Sequence, residues 1–330
     1  MSSKDNRRLF WGYYKYSLKA AHDIKKWKNF QLICGGLIIL AFLVAAGLGA
    51  AEYKYQIFKY SPFTVNISNS DIPPSSKLLR SLLSSESLLE YEDTTAGNYL
   101  LGTDSSGRDI AACLIGGATT YLVAGSVCVL ISLILGIFWG SMTGYYSNTL
   151  IASFNSFIVS VLESYPVIVL MILVLFIYNF SFWAFVIALG FVYGGKISHI
   201  VSNKVEILKN LNFIEAAKEL GLPDAAIIMK HIIWLNCRRE LVIQIIYCFA
   251  GIILTEATLC YLSFGISGDW ISWGHMIYDG VGGKTVYQLN KGIYWQFIPP
   301  SLCVIILILG LNLFGEGLSK LFGEKETERI

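Results

Sequence analysis

Long apolar runs, separated by shorter polar segments, form the main pattern of this chain. The run 32–51 contains no charged residue, and neither does the longer run 110–162, which is interrupted at Tyr145-Tyr146-Ser147-Asn148. A helix needs about 20 apolar residues to cross the ~30 Å hydrocarbon core of a membrane, where backbone amides find no water. The pattern predicts six membrane-spanning helices, near residues 31–51, 119–144, 150–178, 180–195, 241–266 and 293–314.

The composition agrees with a membrane protein and excludes several other classes. Of the 330 residues, 55% are hydrophobic and only 15% are charged, whereas an ordinary soluble domain has roughly 25% charged residues. The net charge of +2 indicates neither nucleic acid nor an acidic substrate as a partner. The seven cysteines lie singly, without a C-x-x-C pair, and we interpret them as small buried hydrophobes.

The distribution of charge predicts the orientation, because short cytoplasmic segments retain Lys and Arg. Basic residues cluster before residue 30 and between 196 and 239, whereas the segment 52–110 is rich in Asp and Glu. The start of the chain lacks the short apolar core and cleavage site of a secretory signal, so we expect the first span to be retained as an anchor. The resulting domain prediction is a cytoplasmic segment 1–30, a transmembrane helix 31–51, an extracytoplasmic segment 52–110, a five-helix core 111–316 with a cytoplasmic loop at about 200–237, and a tail 317–330. Both termini are then cytoplasmic.

The cytoplasmic loop contains a segment that predicts a helical hairpin. Residues 215–220 are strong helix formers, and Gly221 can adopt the positive φ that ends a helix. Pro223 and Asp224 suit the first turn of a second helix. Ala216 and Ala217 would present a face without bulk, which another protein could approach closely. We expect two short helices joined by a hinge, placed to dock on a partner.

This segment resembles the signature loop of ABC importer permeases, because Glu-Ala-Ala is followed after three residues by Gly. The resemblance implies that the loop forms coupling helices in a groove of a cytoplasmic ATPase. The positions that the resemblance assigns to ATPase coupling are Glu215, Ala216, Ala217, Gly221, Pro223 and Asp224. Downstream, the chain has His231-Ile232-Ile233-Trp234-Leu235-Asn236, with Trp234 where the family has proline.

Further stretches resemble the C-type permeases of oligopeptide, dipeptide and nickel importers. They are Gly-Thr-Asp-x-x-Gly-Arg-Asp at 102–109, the fifth span at 255–265, Ser-Trp-Gly-His-Met at 272–276 and the end of the last span at 312–318. The similarity covers roughly residues 27–320 in consistent order. Relative to the family, the chain has an insertion of about twenty residues near 77–99. A solvated connector is the interpretation we favour for this external segment, over a short amphipathic helix that binds something.

The resemblance implies an all-α integral membrane protein with six transmembrane helices in the type I ABC importer permease fold. A coupling-helix hairpin would lie between helices 4 and 5. The chain would pair with a homologous second permease, two ABC ATPase subunits and an extracytoplasmic solute-binding protein, and would form half of a pathway for peptides. Nickel or metal chelates are the alternative substrates. ATP and Mg would bind to the ATPases, and this chain would hold no cofactor of its own.

Two carboxylates are candidates for the translocation pathway, because ionisable groups at membrane depth are costly. Glu256 falls inside the fifth predicted span, and Glu163 precedes Tyr165-Pro166 in the third. Each of these residues, like Pro166, has a second interpretation as a group that fixes helix packing. Glycines at helical spacing in the second span (Gly136, Gly140, Gly144) and the fourth (Gly190, Gly194) indicate close helix packing more strongly than a pathway lining.

Other classes of protein have weaker support in the sequence. Gly282-Gly283-Lys284-Thr285 is not a phosphate-binding loop, because Tyr278 stands where the first glycine is required. A secondary transporter with Glu163 or Glu256 as proton carrier remains a rival. We find no set of residues that would form a membrane enzyme's catalytic site, and His199, His231 and His275 lie in different segments, which argues against a metal site.

Overall fold

A computed structural model describes residues 3–55, 61–76, 99–265, 270–281 and 293–327. Most of the insertion near 77–99 and the segment 282–285 lie outside these residues. The basic side chains before residue 27 also lie outside them, as do the charged side chains of the tail after residue 322.

Helices make up most of the described chain. They are α1 (Ser3–Tyr55), α2 (Ile110–Tyr145), α3 (Leu150–Ser164), α4 (Val167–Ile177), α5 (Phe182–Leu208), α6 (Asn212–Glu219), α7 (Asp224–Tyr261), α8 (Trp273–Val281) and α9 (Ile298–Thr327). A short 3-10 turn, Ile67–Asn69, precedes α2. Asp109 caps α2, where its carboxylate accepts the Ala111 N–H at 3.1 Å.

Within the described residues, five helices are long and apolar enough to cross a membrane, and a sixth span results if α3 and α4 count as one broken helix. The all-α, six-span prediction is therefore confirmed, but several predicted boundaries differ from the helix ends. The helix of the fourth predicted span, α5, runs to Leu208 instead of 195, and that of the sixth, α9, runs to Thr327 instead of 314. The helix of the fifth, α7, ends at Tyr261 instead of 266. The third predicted span, 150–178, is bent by 91° between Ser164 and Val167.

The core of the bundle is the long parallel contact between α2 and α5. A Cβ at Gly140 would lie 2.6 Å from the carbonyl oxygen of Ser198, and one at Gly144 would lie 2.5 Å from that of Ser202. A Cβ at Gly190 would lie 2.6 Å from the side chain of Ile131. Only glycine allows the two backbones to come this close. The packing interpretation of these glycines is confirmed.

The first and last helices, α1 and α9, pack along one flank of this core. Gln31 ties them together, because its amide nitrogen donates to Glu316 at 2.8 Å and its oxygen accepts from Lys320 at 2.9 Å. The bundle has two distinct ends. We call the end that carries α6 and the 146–149 turn the hairpin end, and the end that carries residues 61–76, 99–109 and α8 the opposite end.

Candidate functional site: the hairpin and the carboxylates of the spans

The first limb of the hairpin is the short helix α6, and its C-terminus is closed by Gly221. The φ of Gly221 is 76°, in the left-handed region. Its N–H donates to the carbonyl of Lys218 at 2.9 Å, and the next N–H, of Leu222, donates to that of Ala217 at 3.2 Å. These two bonds form a Schellman motif, which satisfies carbonyls that the helix end leaves free. The role predicted for Gly221 as a helix terminator is confirmed.

The hairpin rests on the bundle through one apolar side. Ile214 is fully buried and Ala217 is 6% exposed, and both belong to the same apolar cluster as Val205 and Leu208 at the end of α5. The expectation that Ala216 and Ala217 share an open face is therefore wrong for Ala217. At helical spacing Ala217 follows Ile214 by three residues, so the two side chains point the same way, toward the bundle.

The outer side of the hairpin carries exposed apolar residues beside charged ones. Glu215, Ala216 and Gly221 are exposed, as are Leu222 and Pro223. Leu220 is 81% exposed, although it lies at a polar end of the molecule. Exposed apolar residues grouped on a projection are typical of a protein docking site. Of the six positions assigned to ATPase coupling, all but Ala217 lie on this surface.

Two tyrosines at the end of α2 hold the second limb of the hairpin. The Tyr145 hydroxyl donates to one carboxylate oxygen of Asp224 at 2.6 Å, and the Tyr146 hydroxyl lies 3.4 Å from the other. The Lys218 ammonium lies 5.2 Å from the centroid of the Tyr145 ring. In the sequence these tyrosines marked only an interruption between two spans. Nothing in the sequence pairs them with Asp224, which lies 79 residues after Tyr145.

The second limb is not the separate short helix that we expected. It begins at Asp224 and runs without a break into the fifth span, so that α7 continues to Tyr261. Residues Ile227–Cys237 wind as a π-helix, in which each N–H bonds five residues back instead of four. Trp234 lies in this stretch and is 69% exposed. Because tryptophan keeps its backbone N–H, the helix can continue where a proline would break it.

Glu256 lies on α7 near the opposite end of the bundle and is 6% exposed. Its carboxylate accepts hydrogen bonds from the hydroxyls of Tyr121 and Ser272 and from the thiol of Cys260. Within the described residues it has no Lys or Arg at ion-pair distance. Since Gly274 N–H also donates to the Tyr121 hydroxyl at 3.3 Å, the network ties α2, α7 and α8 together. A cavity of about 120 Å³ adjoins it.

Glu163 occupies a different environment, at the C-terminus of α3. Its carboxylate lies 3.0 Å from Nε2 of His199 on α5, and the two side chains are 30% and 52% exposed. Pro166 follows at the break between α3 and α4. The structure therefore separates the two candidate carboxylates, which lie on different helices with different partners.

An ionic cluster at the opposite end fixes α8 against the start of α2. Arg108 contacts Asp104 at 2.7 Å and Asp279 of α8 at 3.7 Å, while His275 lies 3.5 Å from Asp279. Burial raises the pKa of Asp279, and the nearby charges of His275 and Arg108 oppose that rise. Thr103, in the same loop, accepts a bond from the Trp295 indole at 3.2 Å through its carbonyl. The Gly-Thr-Asp-x-x-Gly-Arg-Asp stretch thus connects the start of α2 with α8 and with Trp295 at this end.

The described residues contain no group of three His, Cys, Asp or Glu side chains that could hold a metal ion. His199 and His275 pair with different carboxylates, on different elements. His231 lies within the π-helical stretch, where its carbonyl accepts a bond from the Asn236 amide at 2.6 Å.

Comparison with known proteins gives a consistent picture. A family model described as "Binding-protein-dependent transport system inner membrane component" matches residues 132–327. The chain is 25% identical over 293 residues to the oligopeptide transport system permease protein OppC of Bacillus subtilis, covering 89% of this chain and 85% of that protein. It is 28% identical over 239 residues to OppC of Haemophilus influenzae, covering 72% and 74% respectively. It is also 28% identical over 291 residues to the dipeptide transport system permease protein DppC of Alkalihalophilus pseudofirmus, covering 88% and 84%.

Proposed function

Because the chain belongs to the family of binding-protein-dependent transport system inner membrane components, we propose that it forms half of the pathway by which an ABC importer carries oligopeptides or dipeptides across a cell membrane. The family match supports the permease role. The relatives named as oligopeptide and dipeptide permeases, each similar over most of this chain, support the peptide substrate. Nickel or metal chelates are the alternative, and the resemblance to C-type permeases is their only support.

The observation that carries the coupling part of the proposal is the hairpin. It is a folded projection held to the bundle on one side by buried apolar residues and exposed on the other. Because α7 continues from Asp224 into a span without a break, a push on the hairpin acts directly on a helix that crosses the membrane. The proposed role of Glu215, Ala216 and Gly221 is to contact a partner ATPase, with Pro223 and Asp224 shaping the limb that transmits the motion.

The partners in this proposal are a homologous second permease, two ATPase subunits and an extracytoplasmic solute-binding protein. ATP and Mg bind to the ATPases, so the chain itself is not an enzyme. The hairpin end and both termini face the cytoplasm, in agreement with the Lys and Arg residues of the segments 1–30 and 196–239. The opposite end, framed by the Asp104–Arg108–Asp279 cluster, faces outward.

Uptake by the assembled transporter in proteoliposomes tests the proposal. We expect accumulation of radiolabelled trialanine that requires ATP on the ATPase side and continues when a protonophore removes the proton gradient. Uptake driven by an imposed proton gradient without ATP would instead establish a secondary transporter, with Glu163 or Glu256 as the candidate proton carrier. ATP-dependent uptake of labelled Ni²⁺ without uptake of trialanine would contradict the peptide substrate and leave the ABC permease role intact.

A further inference from the structure

One helix of the bundle has a polar face that a lipid-facing helix would not carry. On α3, the residues Ser153, Ser156, Ser160 and Glu163 follow one another at spacings of three or four and therefore lie on one side. Phe154 and Val161 project from the other side and are 64% and 44% exposed, as expected for residues that contact lipid. Of the polar side, Ser153 and Ser156 line a cavity against α5, and Glu163 contacts His199 of α5.

The facing side of α5 is also polar, and a cavity lies between the two helices. Ser198, His199, Ser202 and Asn203 line it from α5. The cavity has a volume of about 380 Å³ and opens to the surface near the 146–149 turn, and this volume falls within the roughly 300–1,000 Å³ of small-ligand sites. Its lining consists mainly of hydroxyl and amide groups. We call this space the α3–α5 groove.

The inner end of the α3–α5 groove lies at His199, which precedes the end of α5 at Leu208 by nine residues, about 14 Å along a helix that rises 1.5 Å per residue. There its Nε2 lies 3.0 Å from the Glu163 carboxylate, and both side chains remain partly exposed. Ionisable side chains of a membrane bundle face its interior or water because contact with lipid is costly. The exposed pair therefore indicates water in the groove.

The broken span gives a second, independent indication. Helix α3 ends at Ser164, α4 begins at Val167, and the axes differ by 91°. Tyr165, in the break, is 60% exposed. The last carbonyls of α3 and the first N–H groups of α4 have no partner within their own helix. Non-helical backbone at membrane depth is tolerated only where protein covers it or water reaches it.

From these observations we propose that the α3–α5 groove is this chain's share of the inner half of the peptide pathway. The inference rests on the proposed transport function. It adds where the peptide passes through this chain and which chemical groups it contacts there. Hydroxyl and amide groups both donate and accept, as each peptide unit of a substrate does. At its inner end, the Glu163 carboxylate and Nε2 of His199 lie 3.0 Å apart. A lining of this kind binds the main chain of a passing peptide without selecting its side chains.

Site-directed labelling tests whether the groove is wet. Ser156→Cys places a thiol in the groove, and the matched control Phe154→Cys places one on the lipid side of the same helix. The assembled transporter, in inside-out membranes without ATP, is treated with a charged, membrane-impermeant thiol reagent, and modification at each position is read by mass spectrometry. We expect labelling at 156 and not at 154, and slower labelling at 156 with millimolar trialanine present. Absence of labelling at 156 would mean that the partner permease or lipid covers the groove, and would overturn the proposal.

A blocking substitution tests whether peptides pass through it. Ser156→Phe fills the groove, whereas Val161→Phe adds the same ring on the lipid side. With assembly checked by co-purification and basal ATP hydrolysis measured, we expect Ser156→Phe to lower ATP-driven trialanine uptake about tenfold or more, and Val161→Phe to leave it near the parent level. If the parent transports peptide and Ser156→Phe does so equally well, the groove is not the path although the transport function stands. If the parent transports no peptide, the proposed function itself fails.

Discussion

The two ends of the bundle are stabilised in different ways. At the opposite end, polar groups are buried and mutually satisfied: Glu256 accepts from three side chains, and Arg108 joins Asp104 to Asp279. At the hairpin end, apolar side chains hold one side of the projection while Leu220 and Gly221 are left exposed on the other. Buried polar networks fix one arrangement of helices. Exposed apolar residues on a held projection suit contact with another protein.

This difference indicates how force would pass through the molecule. In the proposed mechanism the hairpin end receives the contact of a partner, and the bonds that join the hairpin to α2, such as Tyr145 to Asp224, lie near the surface. The opposite end joins α2, α7 and α8 through Glu256 and Tyr121, so these helices should move there as one group. Substitutions at the hairpin end should therefore affect transport more than folding, and those at the opposite end should affect folding more than docking.

The largest effect on transport is expected for Gly221→Arg. It places a long charged side chain on the docking face, and open space surrounds the Cβ position. We expect ATP-driven peptide uptake to fall roughly tenfold or more, as for loss of a central contact in an interface, while membrane insertion is unchanged and ATP hydrolysis becomes independent of the peptide. Glu215→Lys should act in the same direction.

Gly221→Ala is the matched control for this experiment. It requires the same positive φ, at a cost of about 1 kcal/mol, but adds only a methyl group. Uptake near the parent level in Gly221→Ala would assign the loss in Gly221→Arg to the docking surface. Equal losses in both variants would assign it to the backbone of the hairpin, and normal uptake with Gly221→Arg would contradict the coupling role.

The next largest effect, on stability, is expected for Glu256→Ala. The substitution leaves the buried hydroxyls of Tyr121 and Ser272 without their acceptor, and each unpaired buried group costs about 1–3 kcal/mol. We expect a lower midpoint of thermal unfolding in detergent, measured by the loss of the monodisperse peak. Glu256→Gln retains one acceptor oxygen and should lose less. Equal midpoints for parent and Glu256→Ala would show that the network does not stabilise the opposite end.

The turn of the hairpin could be predicted from sequence, for a physical reason. Gly221 and Pro223 act through their own backbone geometry, so their effects can be read from the local sequence. The same holds for the glycines of α2 and α5, whose spacing matches one helix face. The helix ends were predicted poorly, because hydropathy reports contact with lipid, and α5 and α9 continue beyond it into polar surroundings.

The contacts that the sequence did not predict all join distant parts of the chain. Glu256 was identified as an ionisable group in a span, but its donors Tyr121 and Ser272 come from two other elements. The direction of Ala217 depends on where α5 ends. Side-chain type and spacing define what a residue can do within its own helix. The residue that it contacts across the bundle depends on how the helices pack. That packing joins distant parts of the chain, so it cannot be read from the residues next to it in the sequence.

The smallest effect, and the most local, is expected for Tyr145→Phe. It removes the hydroxyl that donates to Asp224 at 2.6 Å and keeps the ring beneath Lys218. The bond is near the surface, so its loss should cost about 1 kcal/mol or less and leave the unfolding midpoint almost unchanged. Hydrogen exchange of the amides in residues 212–226 should become faster, while exchange at residues 101–109 stays the same.

Tyr146→Phe is the matched control. Its hydroxyl lies 3.4 Å from the same carboxylate, so its loss should change hydrogen exchange in the hairpin less. If Tyr145→Phe accelerated exchange equally at both ends, the two ends would be a single cooperative unit. The distinction drawn between the hairpin end and the opposite end would then be wrong.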